Sequence, residues 1–124
     1  MTNNIAIAFS CVIENAVGGG GADTIYGNAA GNRLIGGAGD DTIYALTGDD
    51  VIVGGAGNDT IDGGEGTDYV HLEDSWSNLA YSIDTATGYI TLSSAANGSD
   101  RIKAVEFFVD KNNVVKSYAS LTGT

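Results

Sequence analysis

The sequence predicts an all-β fold in which short strands and glycine-rich loops stack as repeats, closed at the far end by a small antiparallel cap. Three observations predict it. The chain repeats every nine residues from Gly18 onward. Sixteen of its 19 glycines fall within those repeats, and an aliphatic residue recurs at one phase of every copy. Such periodicity marks a structure whose units bury their apolar residue only against neighbouring copies.

The first element is residues 1–17. Its apolar run, residues 5–13, reads as a capping strand rather than a signal peptide, because it lacks a cationic leader and a small-x-small cleavage site.

The second element is residues 18–71, which read GGGGADTIY, GNAAGNRLI, GGAGDDTIY, ALTGDDVIV, GGAGNDTID and GGEGTDYVH without a gap. The sixth position runs Asp23, Asn32, Asp41, Asp50, Asp59, Asp68, and the eighth runs Ile25, Leu34, Ile43, Ile52, Ile61, Val70. Glycines at positions one, two and four allow positive φ, so the backbone can curl tightly with its carbonyls exposed. Positions seven to nine are β-prone and alternate, sending the aliphatic eighth residue to the inside. This segment holds nine carboxylates against Arg33, a local charge of -8 out of the whole chain's -11.

The third element, residues 72–124, reads as antiparallel strands over 79–84, 89–93 and 101–110, with a turn at 85–88. Trp76, Ile102, Val105, Phe107 and Phe108 supply a small second core. Three turns of repeat leave open ends, and this segment is expected to cover one of them. Outward positions seven and nine differ between the two sets of repeats. Odd repeats show Thr24, Tyr26, Thr42, Tyr44, Thr60 and Asp62; even ones show Arg33, Ile35, Val51, Val53, Tyr69 and His71. The more apolar even face is expected to pack against the C-terminal strands or against a further domain.

The nonapeptide GGxGxDxUx is the calcium-binding signature of RTX proteins, and residues 18–71 resemble an RTX right-handed parallel β-roll closely. At the front, Ile5–Ala6–Ile7–Ala8–Phe9 and Val12–Ile13–Glu14–Asn15–Ala16 look like the lead-in to the C-terminal roll of serralysin-type secreted metalloproteases. The resemblance implies two nonapeptides per turn, loops of like parity stacked along one edge, and several Ca²⁺ ions, about four or more. Calcium takes six to eight oxygens, carbonyl and carboxylate alike. Stacked loops about 4.8 Å apart can share one ion.

The ligand scheme implied by the resemblance combines carbonyls of positions two and four and the Asp of one loop with carbonyls of positions one and three and the Asp two repeats later. On the odd edge, Gly19, Gly21 and Asp23 would pair with Gly36, Ala38 and Asp41. Next, Gly37, Gly39 and Asp41 would pair with Gly54, Ala56 and Asp59. On the even edge, Asn28, Ala30 and Asn32 would pair with Ala45, Thr47 and Asp50. Leu46, Gly48 and Asp50 would pair with Gly63, Glu65 and Asp68. Glu14 stands nine residues before Asp23 and acts like the sixth position of a preceding loop, although Cys11 replaces the Thr usual in that family. At the far end, Asp74, with Glu73, would close the loop of Gly55, Gly57 and Asp59. The even edge departs from the pattern at Ala30, Asn32, Ala45 and Leu46, and calcium is expected to bind more tightly on the odd edge than at the Asn32 site.

Other chemistry lacks material. Five Lys and Arg against 16 carboxylates exclude nucleic acid as a plausible partner. His71 is the single His and Cys11 the single Cys, which leaves no HExxH zinc motif, catalytic pair or internal disulfide. No GK[ST] motif follows the glycine-rich loops, and no apolar run reaches membrane-spanning length. The expected role is a non-catalytic, extracellular calcium module of a larger secreted protein, exported by type I secretion, with a serralysin-like protease as favoured parent. Alternatives are a structural or adhesive segment of a large RTX protein, or a carbohydrate-binding appendage.

Overall fold

The computed structural model describes residues 5–6, 14–27, 29, 31–84, 86–95 and 98–122. Cys11 and most of the run 5–13 therefore lie outside the described residues.

The repeats build a parallel β-roll. Strands β1 (Ile5–Ala6), β2 (Glu14–Gly19), β3 (Thr24–Tyr26), β4 (Asn32–Gly37), β5 (Thr42–Tyr44), β6 (Val51–Val53), β7 (Thr60–Asp62) and β8 (Tyr69–His71) alternate between two sheets. Odd repeats place β1, β3, β5 and β7 side by side in one sheet; even repeats place β2, β4, β6 and β8 in the other. The pairing is parallel at a shift of 18 residues, Ile25 opposite Ile43 opposite Ile61 and Leu34 opposite Ile52 opposite Val70. Two nonapeptides thus make one turn.

The nine-residue period explains this directly. Three residues of strand cross one sheet, and each glycine-rich loop carries the chain to the other. Position eight points inward in both sheets, so Ile25, Leu34, Ile43, Ile52, Ile61 and Val70 meet in one core and are each at most 1% exposed. Full burial of such a side chain contributes about 1.5–3 kcal/mol. A single nonapeptide gains none of it.

Downstream come a short 3₁₀ turn (Trp76–Asn78), β9 (Ala80–Asp84), β10 (Tyr89–Ser94), β11 (Gly98–Lys103), β12 (Phe107–Val109), β13 (Val115–Ser117) and α1 (Tyr118–Thr122). The first three strands form an antiparallel group, as the alternation predicts. The expected single strand over 101–110 is instead two strands in different sheets. Ala104, at φ 57, turns the chain between them. β11 joins the odd sheet parallel to β7, and β12 joins the even sheet parallel to β8. Ile90, Leu92, Ile102 and Phe108 extend the same buried core.

The C-terminal strands therefore lengthen both sheets edge-on and do not lie across the even face. On that face Ile35, Val51 and Val53 are half-buried by their neighbours, Tyr69 stacks on Phe107 at 5.0 Å between ring centroids, and Val17 is 59% exposed. The expected packing of this face against the C-terminal strands is not what the chain does.

Candidate metal centre

The sixth position is buried in every repeat. Asp23, Asn32, Asp41, Asp50, Asp59 and Asp68 are all at most 3% exposed, although the loops that carry them lie at the edges of the roll. An unpaired carboxylate resists burial strongly, so the partners of each oxygen decide what the site can hold.

One oxygen of Asp41, Asp50, Asp59 and Asp68 is accounted for. Asp41 Oδ1 accepts the Asp23 backbone N–H at 2.9 Å, and Asp59 Oδ1 accepts that of Asp41 at 2.9 Å. On the even edge Asp50 Oδ1 accepts from the Asn32 N–H at 2.7 Å and Asp68 Oδ1 from the Asp50 N–H at 2.9 Å. Each carboxylate thus reaches back 18 residues and ties consecutive loops of one edge together.

The second oxygen is different. Oδ2 of Asp23, Asp41, Asp50, Asp59 and Asp68 is buried with no hydrogen-bond partner among the described residues, and Asp23 Oδ1 shares that condition. Burial pushes the carboxyls of Asp59 and Asp68 up to about 8, raises Asp50 to about 6, and raises Asp41 as well. Neighbouring carboxylates add to the effect at Asp59, Asp68 and Asp41. Buried acceptors in such numbers are rare without a cation or donor to satisfy them.

Backbone oxygens converge on the same spaces. A Cβ placed on Gly37 would overlap the Gly19 carbonyl oxygen, and one on Gly39 would overlap that of Gly21. The same holds for Gly55 against Gly37, Gly57 against Gly39, Gly64 against Leu46 and Gly66 against Gly48. Carbonyls at positions two and four therefore face the next loop of their own edge. Position one faces the other way: the Gly36 carbonyl oxygen and Asp23 Oδ2 would each lie 2.6 Å from a Cβ on Gly18. Gly54 O and Asp41 Oδ2 stand in the same relation to Gly36, at 2.8 and 2.5 Å. Ala45 O and Asn32 Oδ1 do so around Gly27, at 2.5 and 2.6 Å.

The structure thus brings together Asp23 with Gly36, Asp41 with Gly54, and Asn32 with Ala45. It places Ala38, Thr47, Ala56 and Glu65 at exposed loop apices, and Gly63 beside the Asp68 carboxylate. Asn28 and Ala30 lie outside the described residues, as does the Glu14 side chain; the Glu14 backbone pairs with Asn32, the register of a sixth position. Leu46 adopts φ 70 where the odd-edge loops have Gly, a conformation that costs a non-glycine residue about 1–2 kcal/mol.

Asp74 is a correction. It does not follow Asp59 along the odd edge. Its Oδ1 accepts from the Ser75 N–H and the Asn78 amide, both at 2.9 Å, with Lys111 at 4.0 Å, and those donors hold its carboxyl below the usual range. The residues that do continue the two rows are Asp100 and Glu106, which sequence reasoning missed. Asp100 Oδ1 accepts the Asp59 N–H and Glu106 Oε1 the Asp68 N–H, each at 2.8 Å. A second row, at position five, was missed as well: Asn58 N–H donates to Asp40 Oδ1 and Thr67 N–H to Asp49 Oδ1, each at 2.8 Å. Its signal was the polar run Asp40, Asp49, Asn58 at nine-residue intervals.

Among the described residues no group of three His, Cys, Asp or Glu side chains converges to hold a metal. Each inter-loop space is bordered instead by two sixth-position side chains and several backbone carbonyls. That all-oxygen set, with anionic oxygens lacking donors, fits a hard cation of variable coordination such as Ca²⁺. It fits neither zinc, which is held by N and S ligands, nor a phosphate, which the carboxylates repel.

Comparison with known proteins agrees with this chemistry. Residues 17–52 and 44–74 match the family model of the RTX calcium-binding nonapeptide repeat (4 copies). Among solved structures the chain is similar to the extracellular lipase LipA from Serratia marcescens, with 20% identity and a TM-score of 0.40. That similarity covers 83% of this chain and 15% of the lipase chain, so the chain spans a small part of the lipase's length. No curated protein matches it.

Proposed function

Since residues 17–74 carry RTX calcium-binding nonapeptide repeats, we propose that this chain is a calcium-dependent folding module of a larger secreted protein. Calcium binds between stacked loops along both edges and converts a segment of high glycine content and local charge -8 into an ordered roll. The observation that carries this reading is the row of buried Oδ2 atoms without hydrogen-bond partners among the described residues, those of Asp23, Asp41 and Asp68 beside backbone carbonyls of a neighbouring loop.

The chain's residues supply position and charge. Position-six carboxylates bridge loops through Oδ1 and direct Oδ2 to the ion; glycines at positions two and four let the carbonyls of adjacent loops approach. Bound calcium supplies the positive charge that the edges lack. Affinities of roughly 0.1–1 mM, usual for extracellular calcium modules, would keep the chain unfolded inside a producing cell and fold it after export. Type I secretion and a serralysin-like metalloprotease parent are the context that this behaviour suits best. An HExxH motif encoded upstream would support that parent.

Isothermal titration of the chain with CaCl₂ tests the binding. The expected isotherm has several sites, with the odd edge filling before the space between Asn32 and Asp50, where an amide replaces a carboxylate. Asn32→Asp should tighten the weakest step several-fold and leave the tighter ones in place. An Asn32→Asp isotherm superimposable on the parent's, or an isotherm without binding heat at millimolar calcium, would count against the assignment.

A further inference from the structure

The nonapeptide register reappears after the repeats end. β11 reads Gly98–Ser99–Asp100–Arg101–Ile102–Lys103, and these residues take the stations of positions four to nine in a loop stacked on residues 54–62. Gly98 lies at φ 77, and a Cβ on it would overlap the Gly57 carbonyl oxygen, as one on Gly57 would overlap that of Gly39. Ser99 N–H donates to Asn58 Oδ1 at 2.8 Å, repeating the bond from Asn58 N–H to Asp40 Oδ1. Asp100 is 3% exposed and accepts the Asp59 N–H at 2.8 Å, the bond that Asp59 itself accepts from Asp41. Arg101, Ile102 and Lys103 then stand opposite Thr60, Ile61 and Asp62.

The separation is 41 residues where the repeats use 18. The β9–β10 hairpin is inserted in between, so a strand belonging to the antiparallel cap completes the roll out of sequence order. Asp59 is 1% exposed, and its Oδ2 has no hydrogen-bond partner among the described residues.

We propose that Asp59 and Asp100, with the Gly55 and Gly57 carbonyls, form a further calcium site that clamps the C-terminal cap onto the roll. The donor set shares with the inter-loop spaces upstream two buried carboxylates, one bridging N–H, and a position-four carbonyl aimed at the next loop. Asp59 and Asp100, at 1% and 3% exposure, are carboxylates buried close together and repel one another when both are charged. A divalent cation removes that repulsion. The even edge ends differently: Glu106 takes the equivalent hydrogen bond from Asp68, and the Ala104 carbonyl oxygen stands with Asp68 Oδ2 around Gly63, but only Ala104 and Val105 separate Lys103 from Glu106, so the loop there is shorter.

This inference rests on the calcium reading above, and one experiment separates the two. Native mass spectrometry and calorimetry at pH 7.5 in calcium would compare the full chain with Asp100→Asn, which keeps an oxygen for the Asp59 N–H and removes the charge. The expected result is one bound ion fewer in the variant, with the remaining steps retained. Equal ion counts would overturn the clamp site and leave the calcium reading intact; no bound calcium in either protein would overturn both. Should Asp100→Asn fail to fold, a calcium-grown crystal of the parent chain decides: an ion between Asp59 and Asp100 supports the site, and its absence there with ions at the upstream loops refutes it.

Discussion

Addition of EGTA at pH 8 is expected to remove most of the far-UV β signal of this chain, and excess calcium to restore it. Five buried carboxylates at fixed phase have an oxygen without a hydrogen-bond partner among the described residues, and glycine-rich loops carry a high ordering cost that little else offsets. The pH dependence has a definite sign. Asp59 and Asp68 rise to about 8 and Asp50 to about 6 in the metal-free fold, against about 3.9 for an unfolded Asp. A carboxyl raised on folding favours the folded state below its unfolded value, and that contribution disappears as pH climbs through the folded value. In EGTA the roll should therefore be more ordered near pH 4 than at pH 8, the loss running between those limits. With calcium the trend reverses, because the ion binds deprotonated carboxylates. The gap between spectra with and without calcium should be widest at pH 8 and close toward pH 4. An unchanged β signal in EGTA at pH 8 would refute the proposed dependence.

Gly37→Ala is expected to be strongly destabilising. Gly37 lies at φ 88, and its new Cβ would overlap the Gly19 carbonyl oxygen, so conformation and contact both oppose it. The conformational part alone costs about 1–2 kcal/mol. Relieving the contact requires the 18–23 and 36–41 loops to separate, which also spoils the shared calcium space. Thermal denaturation in calcium should show a midpoint lowered by several degrees or more, and the first odd-edge ion should bind at least tenfold more weakly. Leu46 provides the converse. It occupies the same station at φ 70, so Leu46→Gly should raise the midpoint. A Gly37→Ala chain with unaltered midpoint and affinity would contradict the stacking argument.

Much of this was legible in the residues, for a physical reason. A nine-residue period leaves one inward side chain and one loop-closing side chain per copy, so positions eight and six announce core and candidate ligands without further information. Leu46 at position two signalled strain because its neighbours in the series are glycines. The cap was harder. Asp100 stands out of phase, because a hairpin separates it from Asp59, and only the short run Gly98–Ser99–Asp100–Arg101–Ile102–Lys103 keeps the pattern. Asp74 lay nearer in sequence but is satisfied by Ser75 and Asn78. The run 101–110 reads as one strand because β-prone apolar residues recur along it without a Gly or Pro break. The positive φ of Ala104 divides it between sheets, and a non-glycine turn of that kind carries no local signature. The same division explains the uncovered even face, since β12 satisfies its backbone at the edge of β8.

The most direct test is a crystal grown with calcium, with anomalous difference maps collected on both sides of an energy that identifies the ion. Peaks are predicted between residues 19–23 and 36–41, between 37–41 and 54–59, and between 46–50 and 63–68, each in contact with the Oδ2 atoms of the sixth position. Density for ions only at exposed carboxylates, with those Oδ2 atoms hydrogen-bonded to water, would contradict the account.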